Sequence, residues 1–487
     1  MRSAAWRASR AWTTGCRSMP KPAASRRCKV AADAASRNAT RLRRPTRRPR
    51  RRSPPHGTEG LATGRTAMSW PLRIGVALGA AVVPAVMLWS ARRHRSPVLD
   101  LPHDAPIGQL LPSLAGIGLG TPIVGNDAEV LENGAFFDAL LERIGRARRS
   151  VHLETFLWEH GELSDRVTEA LCERARAGVE VRVLLDSAGA RWLGHIVPRR
   201  LRESRCELAY FHRAAIRNLG VLSDRDHRKI VVVDGEEAFV GGHCITDRWL
   251  GDAEDGRHYA DVSLRLRGPI VHNVQAAFCE NWCASTRTIL VGEHIFPHLA
   301  PAGPLRMHAM YAKPSGSAPA VKVVHHAALC LARERIWIQN PYFIPKAEAI
   351  DALARAVARG VDVRVLMPSS GSTDKEFVQH AAHRNFQQLL SIGVRLFEYP
   401  HTLLHQKIMT IDRQWFAIGS SNFDDRSFDT NDEIMIGVMD AALTARMDGI
   451  FEKYAARARE IRLGAWERRG LLHKLQDRAV YQFNEVL

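Results

Sequence analysis

Residues 405–426 read HQKIMTIDRQWFAIGSSNFDDR, and residues 227–248 read HRKIVVVDGEEAFVGGHCITDR. Identical residues recur without a gap at one offset, 405 − 227 = 178, among them His227 with His405, Lys229 with Lys407, Asp234 with Asp412, Gly241 with Gly419, Asp247 with Asp425 and Arg248 with Arg426. Cys244 stands where the second copy has Asn422. A lone H-x-K-x4-D match is cheap, but two in register over a 22-residue block mark an internal duplication whose copies share one chemistry.

The duplication continues upstream of both blocks. ARAGVEVRVLLDSAG (175–189) mirrors VARGVDVRVLMPSSG (357–371), SVHLETFLW (150–158) mirrors RIWIQNPYF (335–343), and CELAYFH (206–212) mirrors VRLFEYP (394–400). A helix end, a glycine and an alternating Val/Arg strand recur, so each copy reads as strand, helix, strand, helix, strand and then the H-x-K strand. That is an α/β layer architecture, with two sheets expected to face each other. The Pro/Gly/Ser-bearing stretch 286–320 marks the join, giving domains at 126–300 and 301–487.

Charge is confined to one end. Residues 1–67 carry 18 Lys+Arg against 2 Asp+Glu, and the whole chain is +18, leaving 18 − 16 = +2 for the rest. A near-neutral body argues against a nucleic-acid partner, which calls for a basic channel. The leader is too poor in large apolar residues to fold alone and reads as disordered: a transit-like presequence, a polybasic arm, or sequence upstream of a start at Met68. The run at 74–89, IGVALGAAVVPAVMLW, has 16 residues without a charge. Trp70 and Trp89 lie near its ends, so 68–97 is expected to be an N-terminal membrane anchor, followed by a linker at 98–125. Arg92, Arg93 and Arg95 after the run put the body on the cytoplasmic face. The eight cysteines form no C-x2-C pair, and Cys279 and Cys283 read as small side chains packed in a helix. The run from 452 to 487 has helical periodicity.

On a strand, residues i and i+2 share a face, so His227 emerges beside Lys229 and His405 beside Lys407. Asp234 and Asp412, counted with the histidines and lysines in the catalytic set, have the opposite parity and are expected to shape the turn after the strand or to neutralise a neighbouring cation. The segment Gly419-Ser420-Ser421-Asn422 offers close backbone approach and neutral donors, with Gly242, Ser420 and Asn422 as candidate phosphate-binding positions. Two imidazoles, two ammonium groups and these donors around one centre suit a phosphodiester. One histidine attacks phosphorus and the other passes a proton to the leaving alkoxide, then takes one from the incoming hydroxyl; no metal or other cofactor is required. A histidine in such a role needs a carboxylate to fix its tautomer. Asp261, 34 residues after His227, and Glu433, 28 after His405, each open a strand and are the candidates.

The paired signatures resemble those of the phospholipase D superfamily. More narrowly, NPYFIP (340–345), RGVDVRVLMP (359–368), LLHQKIMTID (403–412) and SNFDDRSFDTNDE (421–433) resemble bacterial cardiolipin synthases. The resemblance implies a duplicated phospholipase D-like α/β fold, two lobes related by a pseudo-twofold axis, with one active site between them. It implies phosphatidyl transfer through phosphohistidine from one phosphatidylglycerol to another, at the inner membrane, with His227 as nucleophile and His405 as acid. One departure stands out: the first copy has Gly241-Gly242-His243-Cys244 for G-S-x-N, leaving the second copy, His243 or backbone groups to supply the missing donor. The alternatives are a hydrolase with water as acceptor, less readily a nuclease, or a membrane scaffold with a dead site.

Overall fold

The structure, a computed structural model, describes residues 105–117, 120–212, 224–313 and 319–470, with Val82, Leu99 and Leu101 as isolated positions. The leader, the expected anchor apart from Val82, and residues 471–487 lie outside the described residues. No helix among the described residues is long and apolar enough to cross a membrane.

After a short helix α1 (Leu111–Ile117), the first lobe runs β1 (Ile123–Glu132), α2 (Ala135–Gly145), β2 (Ser150–Thr155), α3 (Glu162–Arg176), β3 (Glu180–Asp186), α4 (Ile196–Glu203), β4 (Glu207–Phe211), β5 (Ile230–Val233), β6 (Glu237–Gly241), β7 (Val262–Arg267) and α5 (Val271–Thr286). The second repeats the order: β8 (Leu305–Ala312), α6 (Ala320–Leu331), β9 (Arg335–Gln339), α7 (Ala347–Ala358), β10 (Asp362–Pro368), α8 (Glu376–Ser391), β11 (Arg395–Tyr399), β12 (Ile408–Ile411), β13 (Trp415–Gly419), α9 (Asp425–Asp429), β14 (Glu433–Met439) and α10 (Ala441–Ala455). The mirrored segments thus fold as mirrored elements.

The expectation of two separate facing sheets is corrected. With a last strand β15 (Arg459–Ile461), the strands form one fifteen-stranded sheet in the order β15-β11-β10-β9-β12-β13-β14-β8-β1-β7-β6-β5-β2-β3-β4. β1 and β8, the first strand of each lobe, pair antiparallel at its middle through Ile123↔Met307 and Asn126↔Leu305. Each would otherwise present unpaired backbone groups at an edge, and here the two edges satisfy each other. The faces still meet: alternate residues of the central strands enter a core shared by both lobes, with Val232, Val240 and Leu264 from one and Phe416, Ile418 and Ile436 from the other. The intervening residues point outward, Val231 and Val233 to the helices of the first lobe and Met409 and Ile411 to those of the second. Period-two alternation with both faces apolar is what a strand between two cores requires.

The helical run expected from 452 is also corrected. α10 stops at Ala455, β15 (Arg459–Ile461) adds to β11 through Leu396↔Ile461, and α11 (Leu463–Glu467) follows. Pairing with an open sheet edge outweighs helical periodicity here.

Candidate active site

Both H-x-K segments start at the carboxyl ends of parallel strands, because β5 and β12 run back antiparallel to β2 and β9 (Glu154↔Ile230, Gln339↔Ile408). The two segments meet the opposite lobe through backbone bonds. His227 N donates to Asp432 O at 3.0 Å and Asp432 N to Arg225 O at 2.8 Å; His405 N donates to Ala260 O at 2.7 Å and Ala260 N to Leu403 O at 3.0 Å. Each H-x-K strand is therefore stitched to the residue just before the other lobe's candidate carboxylate.

That stitching crosses the pairs. Glu433 Oε1 lies 2.8 Å from His227 Nδ1, and Asp261 Oδ2 lies 2.8 Å from His405 Nδ1. Each carboxylate thus adjoins the histidine of the other copy, since the pseudo-twofold axis brings the start of β14 to β5 and the start of β7 to β12. Aromatic edges steady both rings: Phe156 stands 5.1 Å from His227 and Trp249 5.1 Å from His405, both edge-on. Trp249 Nε1 also donates to Asp261 Oδ2 at 2.9 Å. Nothing in the motif spacing marks Phe156 or Trp249, and both were missed. Nε2 of each imidazole has no hydrogen bond among the described residues, which leaves it for a reacting group.

The lysines lie beside their own histidines, Lys229 Nζ donating to His227 O at 2.5 Å and Lys407 Nζ to His405 O at 2.6 Å. Burial and the charges of Lys229, Lys407 and His405 push His227 well below the usual imidazole range. His405 is lowered by burial and Lys407, against the pull of Asp261. Burial, reinforced by repulsion from Lys229, brings Lys407 down to about 8 despite Asp261. The carboxylates diverge. Burial takes Glu433 up to about 7, whereas Asp261, which burial alone would raise, is held at about 2 by the His405 and His243 rings and Lys407. The two histidines thus face carboxylates of different charge at neutral pH.

The residues after the strands differ between lobes. Ser420 Oγ donates to Glu433 Oε2 at 2.5 Å and accepts from Ile434 N at 3.0 Å, so its one proton goes to the carboxylate. At Gly242 an added Cβ would stand 2.4 Å from Asp261 Oδ1. Asp261 is one methylene shorter than Glu433, and glycine leaves the room its carboxylate fills. Gly242 and Ser420, expected to touch phosphate, therefore adjoin the orienting carboxylates. Asn422 is buried, with Oδ1 lacking a hydrogen-bond partner among the described residues. Cys244 is buried in its place, and burial raises its thiol pKa. His243 does not compensate: it stacks on Phe136 at 4.3 Å, and both ring nitrogens are engaged, by Ser263 Oγ at 2.7 Å and Asn133 O at 3.0 Å.

Asp234 and Asp412 sit in the left-handed region, φ 58° and 51°, at the turns after β5 and β12. Asp234 Oδ1 accepts from the backbone N–H of Arg148, Arg149 and Ser150, and Oδ2 accepts from Arg143 Nη2 at 3.1 Å. Asp412 Oδ1 accepts from the N–H groups of Arg333, Glu334 and Arg335. Each carboxylate pins the entry of β2 or β9 to the H-x-K hairpin. Both act on the scaffold. No group of three His, Cys, Asp or Glu side chains among the described residues is placed to hold a metal ion.

Two imidazoles with fixed tautomers and free Nε2 atoms, flanked by two ammonium groups, can carry out nucleophilic displacement with proton transfer on a phosphate ester. Residues 140–282 and 326–455 match the family model described as cardiolipin synthase, PLD-like domain. The chain is 33% identical over 345 residues to a cardiolipin synthase of Geobacillus sp. (strain WCH70), a match covering 70% of this chain and 66% of that one. It is 33% identical over 357 residues to cardiolipin synthase A of Pseudomonas fluorescens (strain Pf-5), covering 73% of each. The fold is similar to the crystal structure of phosphatidylserine synthase from Haemophilus influenzae Rd KW20, with TM-score 0.59, 12% identity, and 74% of this chain and 95% of that one covered.

Proposed function

We propose, given that this chain belongs to the phospholipase D-like cardiolipin synthase family, that it transfers a phosphatidyl group between two phosphatidylglycerol molecules. The observation that carries this reading is the pair of crossed His–carboxylate contacts at one seam between the lobes. In the first step His227 Nε2 attacks phosphorus, the bond to the glycerol oxygen breaks, and His405 donates its Nε2 proton to the departing alkoxide. Phosphatidyl-His227 and free glycerol result. In the second, the terminal hydroxyl of another phosphatidylglycerol gives its proton to His405 while its oxygen attacks phosphorus. The P–N bond then breaks and cardiolipin leaves.

Asymmetry of the carboxylates supports that order. A charged Asp261 favours the imidazolium form of His405, the acid, whereas Glu433, raised to about 7, exerts a weaker pull on the proton of His227 and favours the neutral nucleophile. Lys229, Lys407 and the Asn422 amide receive charge on the non-bridging oxygens. The reaction takes place at the inner membrane, with the run at 74–89 as anchor and the body on the cytoplasmic face.

The test follows lipid products and glycerol from phosphatidylglycerol in mixed micelles, beside His227→Ala and His405→Ala. Cardiolipin with matching glycerol, lost in both variants, is expected. Phosphatidic acid as the only lipid product would make the protein a hydrolase.

A further inference from the structure

The carboxyl ends of β3 and β10 lie on the sheet edge from which His227 and His405 emerge, because β3 runs parallel to β2 and β10 parallel to β9. Duplicated loops leave these ends toward α4 and α8. In the first lobe Trp192 is 63% exposed and Ile196, four residues on, 46%, two large apolar groups left to water within one short segment. The Arg191 guanidinium stands 5.0 Å from the Trp192 ring centre, and Arg199, 3.6 Å from Glu203, and Arg202 are exposed on α4. The corresponding loop of the second lobe leads into α8, whose second residue, Phe377, is 43% exposed.

We infer that these two loops form a membrane-docking rim, in which Trp192, Ile196 and Phe377 enter the interface of an anionic bilayer while Arg191, Arg199 and Arg202 meet its phosphates. Three observations select this occupant. A tryptophan stacked under an arginine suits the boundary between acyl chains and headgroups, where an amphipathic ring and a cation are both satisfied. The first-lobe part of the rim, 189–203, carries Arg191, Arg199, Arg200 and Arg202 against Glu203, while residues 68–487 as a whole are near neutral, so charge complementarity points to an anionic surface at that loop. And the rim borders the sheet edge that holds the two histidines, so docking there brings the seam to lipid headgroups.

The inference rests in part on the lipid-transfer reading, and hydrogen exchange separates the two because it reports docking without turnover. In the full chain, backbone amides of 189–203 and 369–377 are expected to gain protection on vesicles containing phosphatidylglycerol and not on pure phosphatidylcholine. Trp192→Ala with Ile196→Ala is expected to lower product formation from phosphatidylglycerol vesicles by at least tenfold, with turnover of monomeric short-chain phosphatidylglycerol unchanged. No added protection, an equal effect on both substrates, or a lipid-free dimer that the substitutions dissociate would overturn it. Protection on vesicles without turnover of any lipid would sustain docking and sink the transfer reading.

Discussion

Glu433 Oε1 lies 2.8 Å from Nδ1 of His227, across the seam between lobes and 206 positions along the chain. The reciprocal contact joins Asp261 to His405 over 144 positions. Neither lobe holds a complete site, since each histidine takes its tautomer from the other half.

Glu433→Gln is therefore expected to shift the Nδ1 resonance of His227 in a nitrogen-15 spectrum and leave His405 in place; Asp261→Asn should do the reverse. Turnover falls by about 10²–10⁴-fold in each, the range seen when an orienting carboxylate is neutralised. A shift at the histidine of the same lobe would contradict the crossed arrangement.

Asn422 and Cys244 occupy equivalent positions with different chemistry. Asn422→Ala is expected to cost about 10²–10³ in kcat, as removal of one charge-stabilising donor does. Cys244→Ala should stay within about threefold, because a buried thiol is a weak donor. Equal losses would mean that both lobes bind the phosphate alike.

Gly242→Ser puts a Cβ 2.4 Å from the Asp261 carboxylate. Turnover drops by at least about tenfold as Asp261 moves off His405. The double change Gly242→Ser with Asp261→Glu, which copies the Ser420–Glu433 pair, is expected to recover part of the loss. A fully active single variant would show that the space is not needed.

Lys407, lowered to about 8, sets an alkaline limit. Above that pH its ammonium loses its proton and its contribution to the transition state, so kcat/KM falls. Lys407→Arg keeps its charge and should flatten that limb, even at a lower maximum rate, because guanidinium does not titrate there. On the acid side Asp261 has a folded pKa near 2, below the unfolded value of about 3.9. The stability it confers is present above about pH 4 and is lost as pH falls toward 2. Denaturant midpoints measured between pH 5 and 2 should show a smaller decline in Asp261→Asn.

Asp234→Ala removes the acceptor for three backbone N–H groups and leaves Arg143 with one carboxylate fewer. A loss of about 3–5 kcal/mol in unfolding free energy is expected, as for breaking a buried charge pair. An unchanged melting temperature with lost activity would instead place Asp234 in the chemistry.

Much of the fold was legible because the signals were local. Val/Arg alternation at 180–186 and 362–368 marked strands, and the 178-residue offset marked two like lobes. The sheet join was not legible: Ile123↔Met307 couples residues 184 apart through backbone atoms that carry no side-chain signature. The break at Ala455 was missed for a similar reason, since residues 459–461 become a strand only because β11 offers an open edge.

The sequence by itself determined the inventory of the site: two histidines, each two residues before a lysine in the segment that leads into β5 or β12, two carboxylates at strand starts, and a turn aspartate in each copy. Tertiary structure decided which carboxylate serves which histidine, and that Ser420 and Gly242 adjoin those carboxylates. The reason is geometric. Spacing along a strand determines which side chains share a face, while partnership across a seam depends on how two lobes rotate against each other, and that rotation is set by the shared core of Val232, Leu264, Phe416 and Ile436.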